Sequence, residues 1–321
     1  MKNVLIITTV VIVFVFIGGL GYLRFVLPNV GTVPDIKVVR SSERILRGEY
    51  LANHVMACMD CHSTRDWTRF SGPLKTGTLG KGGEYFGPEM GFPGKYYSRN
   101  LTPTNLGNWT DGEIFRAITS GVDNKDEALF PVMPYPYYAH LDREDVMDII
   151  AYLRSLSDID TEVPQSISDF PMSLIINTMP LKPSFTKRPA KEDTVQYGGY
   201  LVNAAACMDC HTPVNKGQII LENAFSGGRE FEMQGGTLRS SNITPDVETG
   251  IGSWTEDIFV SKFKAFVNPE DLPTVESRDY NTLMPWSMYA GMDTTDIKAI
   301  YAYLKTLKPI QNEVVKFTVR K

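Results

Sequence analysis

Four cysteines are the whole complement of this 321-residue chain, and all four lie in two copies of one pentamer, CMDCH, at Cys58–His62 and Cys207–His211. Two sulfurs three positions apart share one helical turn, and the next residue brings an imidazole beside them. C-x-x-C-H is the attachment sequence for c-type haem: the thiols bond to the two vinyl positions of the porphyrin and the histidine faces the iron. Other chemistries suit the pattern less. A thioredoxin-like redox pair has no need of the histidine, and zinc sites pair two C-x-x-C units within one small domain, not 149 residues apart. A disulfide-stapled exported domain would scatter its cysteines. Cys58, Cys61, Cys207 and Cys210 are thus the expected thioether positions, His62 and His211 the expected iron ligands, and the cofactors two covalently bound haem c groups.

The other side of each iron is either filled or left open, and the choice separates electron transfer from ligand binding. Beyond His62 and His211 only His54 and His140 remain, and neither has a histidine counterpart in the other copy. Structural or surface roles are expected for both. Met133 and Met284 do match, each about 70 residues past its pentamer and each followed by proline, which favours an extended backbone at the methionine. They are the expected second ligands, against a background of 13 methionines that includes Met59, Met208, Met179, Met288 and Met292. Trp109 and Trp254 also recur, either as core aromatics or with the indole N–H on a haem propionate. Arg99 and Arg239 are weaker candidates to balance propionate charge.

The positioning elements repeat with the pentamer. GEYLAN at Gly48 matches GGYLVN at Gly198, FSG recurs at Phe70 and Phe225, GGEYF at Gly82 answers GGREF at Gly227, and NLTP at Asn100 answers NITP at Asn242. WTDGEIF at Trp109 answers WTEDIF at Trp254, and the 24 residues from Met133 match those from Met284 without a gap at an offset of 151. Offsets fixed within blocks and drifting between them mean loop insertions between preserved elements. The elements read as helices over 46–57, 110–119, 142–156 and 293–307, the third with Asp142 as N-cap, Glu144 and Asp145 in its first turn and apolar Val146, Ile149, Ile150 and Leu153 in register. Eight glycines between Gly72 and Gly94 predict loop. The expected domains are an anchor or signal over 1–27, a first domain over 41–158, a proline-punctuated linker without a repeat partner over 159–190, a second domain over 191–312 and a tail over 313–321.

Hydrophobic residues make up 43 % and charged ones 21 %, with net charge −5, which fits a globular chain and no nucleic-acid partner. Val4 to Leu23 is twenty residues without a charge, enough to span a bilayer, and no A-x-A-like cleavage site precedes Pro28. An uncleaved anchor is expected rather than a removed signal; either one exports the rest of the chain. Charge leaves the orientation undecided, since Lys2 is opposed by Arg24.

In the order C-x-x-C-H, N-[LI]-T-P with a tryptophan soon after, Met-Pro and a closing D-x-x-D-[VI] helix, the chain resembles class I cytochrome c, and more narrowly the multihaem cytochrome c subunits of bacterial membrane-bound alcohol or gluconate dehydrogenases. The resemblance covers about three quarters of the chain. It implies an all-α fold with one haem per repeat, ligated by His62 and Met133 and by His211 and Met284. It also implies haem attachment after export, hence an N-terminus in the cytoplasm and the haem domains on the periplasmic face of the bacterial membrane. Those subunits usually carry three haems, and this chain has two. The function expected is passage of single electrons from a dehydrogenase or quinol-oxidising complex to an oxidase or soluble cytochrome. The alternatives are a dihaem enzyme of peroxidase or thiosulfate-oxidising type, and an assembly subunit whose haems bridge partners.

Overall fold

The computed structural model describes residues 1–320. Helix α1 (Lys2–Phe25) has no buried residue and presents apolar side chains along most of its length. The remainder is organised by two helix pairs, one per repeat. In the first repeat α2 (Ser42–Tyr50) continues through a π-helical turn (Leu51–Val55) towards the one-turn helix Cys58–Cys61, followed by α3 (Asp111–Ser120) and α4 (Arg143–Leu153). In the second, α5 (Thr194–Ala204) leads into the turn Cys207–His211, followed by α6 (Glu256–Lys264) and α7 (Thr294–Leu304).

Local chemistry accounts for the boundaries. Ser41, Thr110, Asp142 and Thr255 cap α2, α3, α4 and α6 by accepting backbone N–H groups, and Thr110 closes a full capping box with Glu113. The buried face of α4 is the apolar set Val146, Ile149, Ile150 and Leu153, with α2 laid along it. Gly48 explains why GEYLAN recurs: a Cβ there would stand 1.9 Å from the Asp148 carbonyl oxygen. Gly198 does the same in the second repeat, 1.8 Å from the Ala299 carbonyl oxygen. Only glycine lets each helix pair approach so closely.

The helical reading omits three small antiparallel sheets. One joins β1 (Tyr85–Phe86), β2 (Gly94–Tyr97) and β3 (Ile167–Ser168); a hairpin pairs β4 (Val214–Asn215) with β5 (Gln218–Ile219); a third joins β6 (Glu230–Met233), β7 (Gly236–Arg239) and β8 (Phe317–Val319). Strands of two to four residues are too short for an alternating pattern to show. They also extend the repeat. Lys95 pairs with Ile167 as Thr237 pairs with Thr318, so segments read as linker and tail occupy equivalent edge positions.

The two repeats face each other through reciprocal contacts. Tyr50 donates to Asp296 at 2.7 Å and accepts from the Asp293 N–H at 3.0 Å. Tyr200 donates to Asp145 at 2.6 Å and accepts from the Asp142 N–H at 3.1 Å. Each tyrosine thus caps the closing helix of the other repeat, which is the self-complementary contact of a two-fold interface. Asp145 and Asp296 are buried, and both are compensated: Asp145 by Arg47 and Arg188, Asp296 by Tyr197 and Lys191.

Candidate haem sites

Each pentamer begins with a backbone reversal, Ala57 at φ 48° and Ala206 at φ 50°, which turns the chain from the preceding helix into the cysteine turn. The imidazoles are held in the same way in both repeats. His62 Nδ1 lies 2.7 Å from the Arg99 carbonyl and His211 Nδ1 lies 2.7 Å from the Ser241 carbonyl. A carbonyl only accepts, so Nδ1 carries the proton and Nε2 presents its lone pair, the tautomer of a metal-binding histidine with an oriented ring. The backbone is pinned too: the Gly82 N–H bonds the His62 carbonyl at 2.8 Å and the Gly227 N–H bonds the His211 carbonyl at 2.7 Å. Gly82 (φ 75°) and Gly227 (φ 74°) have room for no side chain, since a Cβ would stand 2.5 and 2.4 Å from the backbone that supplies the acceptor carbonyls. Sequence reading gave Gly82, Gly227 and Ser241 no part in the site and considered only the side-chain charge of Arg99, although Gly82 and Gly227 head the matched GGEYF and GGREF blocks.

The donor set fits a covalently attached haem. All four cysteines are free thiols. Burial pushes the Cys58, Cys61 and Cys207 thiols up to about 12, opposite to the low values of redox-active pairs. Cys210, although solvent reaches it, has enough protein around its sulfur to rise to about 11. Burial also lowers both histidines from their ordinary value, with the backbone bonds to Arg99 and Ser241 opposing, which favours the neutral, ligating ring. Among the described residues no cluster of three His, Cys, Asp or Glu could hold a bare metal ion.

Met133 and Met284 are half-buried against the core. The turn after each is tied back to its own pentamer: the Tyr138 hydroxyl donates to the Met56 carbonyl at 3.4 Å and the Tyr289 hydroxyl to the Ala205 carbonyl at 3.2 Å, in each case two residues before the first cysteine. Tyr138 is held well above its usual pKa by burial first and then by charges that include Cys58 and Cys61 of its own repeat and Asp209 of the other. Tyr289 is raised by burial, then Cys207 and Cys210, then Asp60 and Cys61. The turn that carries each tyrosine also packs across the repeats, Tyr135–Tyr138 on α5 and Trp286–Tyr289 on the π-helical turn Leu51–Val55. Tyr135, two residues past Met133, is wholly buried with no hydrogen-bond partner for its hydroxyl, a donor that meets no protein acceptor.

Trp109 is buried in the core and Trp254 packs against it, their carbonyls held by Arg154 and by Tyr301 respectively. The N-[LI]-T-P loops are braces: Asn100 accepts from the Thr102 N–H and hydroxyl and donates to the Ile159 carbonyl, and Asn242 repeats this with Thr244 and Ile310. Arg99 is paired with the buried Asp123 at 2.7 Å. Arg239 is not its equivalent; that place belongs to Ser241, and Arg239 pairs with Glu230 on β6. His54 and His140 both bond backbone carbonyls, of Met288 at 2.9 Å and Ser184 at 3.2 Å. A Cβ on Gly291 would stand 2.1 Å from the His54 ring, so the two positions that break the repeat meet in space.

The FSG match is also corrected. Ser63 accepts from the Gly80 N–H at 3.1 Å and Thr212 from the Phe225 N–H at 3.1 Å, so Phe225 is equivalent to Gly80 and not to Phe70. Phe70 and Ser71 instead belong to a longer loop in the first repeat that crosses to the second. Ser71 donates its hydroxyl to the Met284 carbonyl at 2.6 Å, accepts from the Trp286 N–H at 3.1 Å, and donates its own N–H to Asn281 Oδ1 at 2.8 Å.

No family model matches the chain. It is 28 % identical over 288 residues to the cytochrome c subunit of the quinone-dependent alcohol dehydrogenase of Gluconacetobacter polyoxogenes, covering 84 % of this chain and 57 % of that one. It is 30 % identical over 247 residues to the fructose dehydrogenase cytochrome subunit of Gluconobacter japonicus, covering 72 % and 47 %. A diheme cytochrome c-type protein of Cereibacter sphaeroides is 27 % identical over 197 residues, 59 % of this chain and 63 % of its own. The chain spans about half the length of the dehydrogenase subunits it matches. The resemblance carried by its motifs is thus borne out.

Proposed function

Since the chain belongs to the family of cytochrome c subunits of quinone-dependent dehydrogenases, we propose that it is a membrane-tethered dihaem cytochrome c that passes single electrons from a dehydrogenase or quinol-oxidising complex to a terminal acceptor. The observation that carries this reading is the duplicated histidine geometry: a ring fixed through Nδ1 and two free thiols on the same turn, twice. Cys58, Cys61 and His62 would hold one haem and Cys207, Cys210 and His211 the other, with Met133 and Met284 as second ligands. A haem so bound supplies one-electron chemistry at its iron. The protein's part is to orient the imidazoles, exclude water with the core that Trp109 and Trp254 help to form, and offer in Tyr135 a buried donor for a propionate oxygen. Tyr138 and Tyr289, each bonded to the carbonyl two residues before its own cysteine turn and carried on a turn that packs against the other repeat, support transfer from one haem to the next within the chain. Helix α1 would hold the haem domains at the periplasmic face.

A pyridine haemochrome assay on the full chain should return two haems c. In the ferric protein, Met133→Leu and Met284→Leu should each remove one methionine-to-iron charge-transfer band and lower one reduction potential, every ~59 mV being a tenfold change in a one-electron equilibrium. Ready cyanide binding by one haem of the unmodified protein would reject the carrier in favour of a dihaem enzyme.

A further inference from the structure

The segment after β3 contains twelve residues without a charge, Phe170 to Leu181, bounded by Asp169 and Lys182. It forms a helical turn at Met172–Ile175 and a 3-10 turn at Ile176–Thr178, and neither has a buried residue. Both turns pack against α1, and the first also against β3. The contact is anchored chemically: Asn177 donates its side-chain amide to the Leu23 carbonyl at 2.9 Å. Leu23 lies in the last turn of α1, where carbonyls lack intrahelical partners and are costly to leave unpaired away from water. Beside that bond the surface is apolar and open. Phe170 is 81 % exposed, Ile175 41 %, and on α1 Tyr22 is 52 % and Phe25 86 % exposed.

We infer that Phe170–Met179 is a second membrane contact, lying in the interfacial layer beside the exit of α1 with Phe170 and Ile175 in lipid. The inference rests on the proposed reading of α1 as a membrane span. If α1 spans, its last turn sits at the boundary of the hydrocarbon, and a segment hydrogen-bonded to Leu23 sits at the same depth. The lipid that surrounds the wholly unburied α1 is then continuous with the exposed face of the turns, and Lys182 comes next at the level of anionic headgroups. One helix alone would leave the haem domains free to swivel; two contacts held together by Asn177 set their tilt, and hence which face of the repeats is presented to partners.

The test uses the full-length holoprotein in nanodiscs containing a phospholipid with a diazirine on its acyl chain, irradiated and mapped by peptide mass spectrometry. Adducts are expected on α1 and on the peptide carrying Phe170 and Ile175, with none at Val247, an exposed apolar residue of the second repeat. In the Phe170→Glu, Ile175→Glu variant the adducts on that peptide should be lost while those on α1 and the haem absorption persist. Labelling of α1 without labelling of 170–179 in the unmodified protein overturns the inference alone. Absence of labelling on both overturns it together with the membrane-span reading.

Discussion

The two cysteine turns share five letters and hold their histidines alike, but the aspartate between the cysteines meets different surroundings in each. In the first, Asp60 between the cysteines is buried and ion-paired at 2.9 Å with Arg65, itself buried and further bonded to the Gly72 and Ser71 carbonyls. In the second, Asp209 pairs with Arg229 at 3.1 Å, both partly in solvent, and Cys210 is exposed. Burial, opposed by Arg65 and reinforced by Glu84, raises Asp60 to about 6. An identical motif therefore sits in two dielectric settings, and the longer loop of the first repeat creates the difference, since it carries Arg65.

Removing the cysteines should separate the two turns most. Cys58→Ala with Cys61→Ala should leave one haem per chain and abolish the cooperative melt of the first repeat, because the haem's apolar faces are expected to form much of its core. It should also loosen the second repeat, whose methionine turn is held by the Ser71 loop. Cys207→Ala with Cys210→Ala should spare the first repeat. Haemochrome counts with thermal melts followed in the Soret band check this; symmetrical losses would mean that the loop carries no load between repeats.

Next in size is the ion pair. Arg65→Leu leaves Asp60 buried with no counter-charge, and one of its oxygens already lacks a partner, so a loss of roughly 3–5 kcal/mol is expected. Arg229→Leu, at a partly solvated pair, should cost under about 1 kcal/mol. Denaturant midpoints of the two variants at unchanged m-value measure the gap.

The interface tyrosines give a smaller and subtler contrast. Tyr200→Phe leaves Asp145 with two arginines, and about 1 kcal/mol should be lost. Tyr50→Phe leaves Asp296 with Tyr197 and the largely exposed Lys191, and about 2 kcal/mol is expected. Equal losses would show that the reciprocal contacts are also energetically equivalent.

Much of this was legible in the residues. The repeat blocks marked the helices, since Asp142 and the apolar spacing of α4 act locally, whereas the reason for Gly48 lies in the distant Asp148 carbonyl. The histidine placement was half visible: the pentamer identifies the ring, but the acceptor carbonyl on Arg99 or Ser241 belongs to backbone, which any residue can supply. The short strands were invisible because pairing, not pattern, makes them. FSG misled because three matching letters do not report which N–H faces Ser63 or Thr212. His54, expected to be structural or at the surface, is structural: it bonds the Met288 carbonyl and fills the space that a side chain at position 291 would need.

The smallest expected effect is the most specific. Ser71 is wholly buried at φ 65° and joins the first repeat to the methionine of the second. Ser71→Ala removes the bond to the Met284 carbonyl and the one from the Trp286 N–H, though that N–H keeps its 2.8 Å bond to Met284, so about 1 kcal/mol should be lost. The informative readout is spectral: the charge-transfer band and potential of the second haem should shift while those of the first stay fixed. Ser71→Gly separates the causes, because glycine adopts this φ without strain yet makes neither bond. It should show the same spectral change with a smaller loss of stability. A Ser71→Gly spectrum identical to that of the unmodified protein would mean that backbone shape alone holds Met284 and that the crossing hydrogen bonds are incidental.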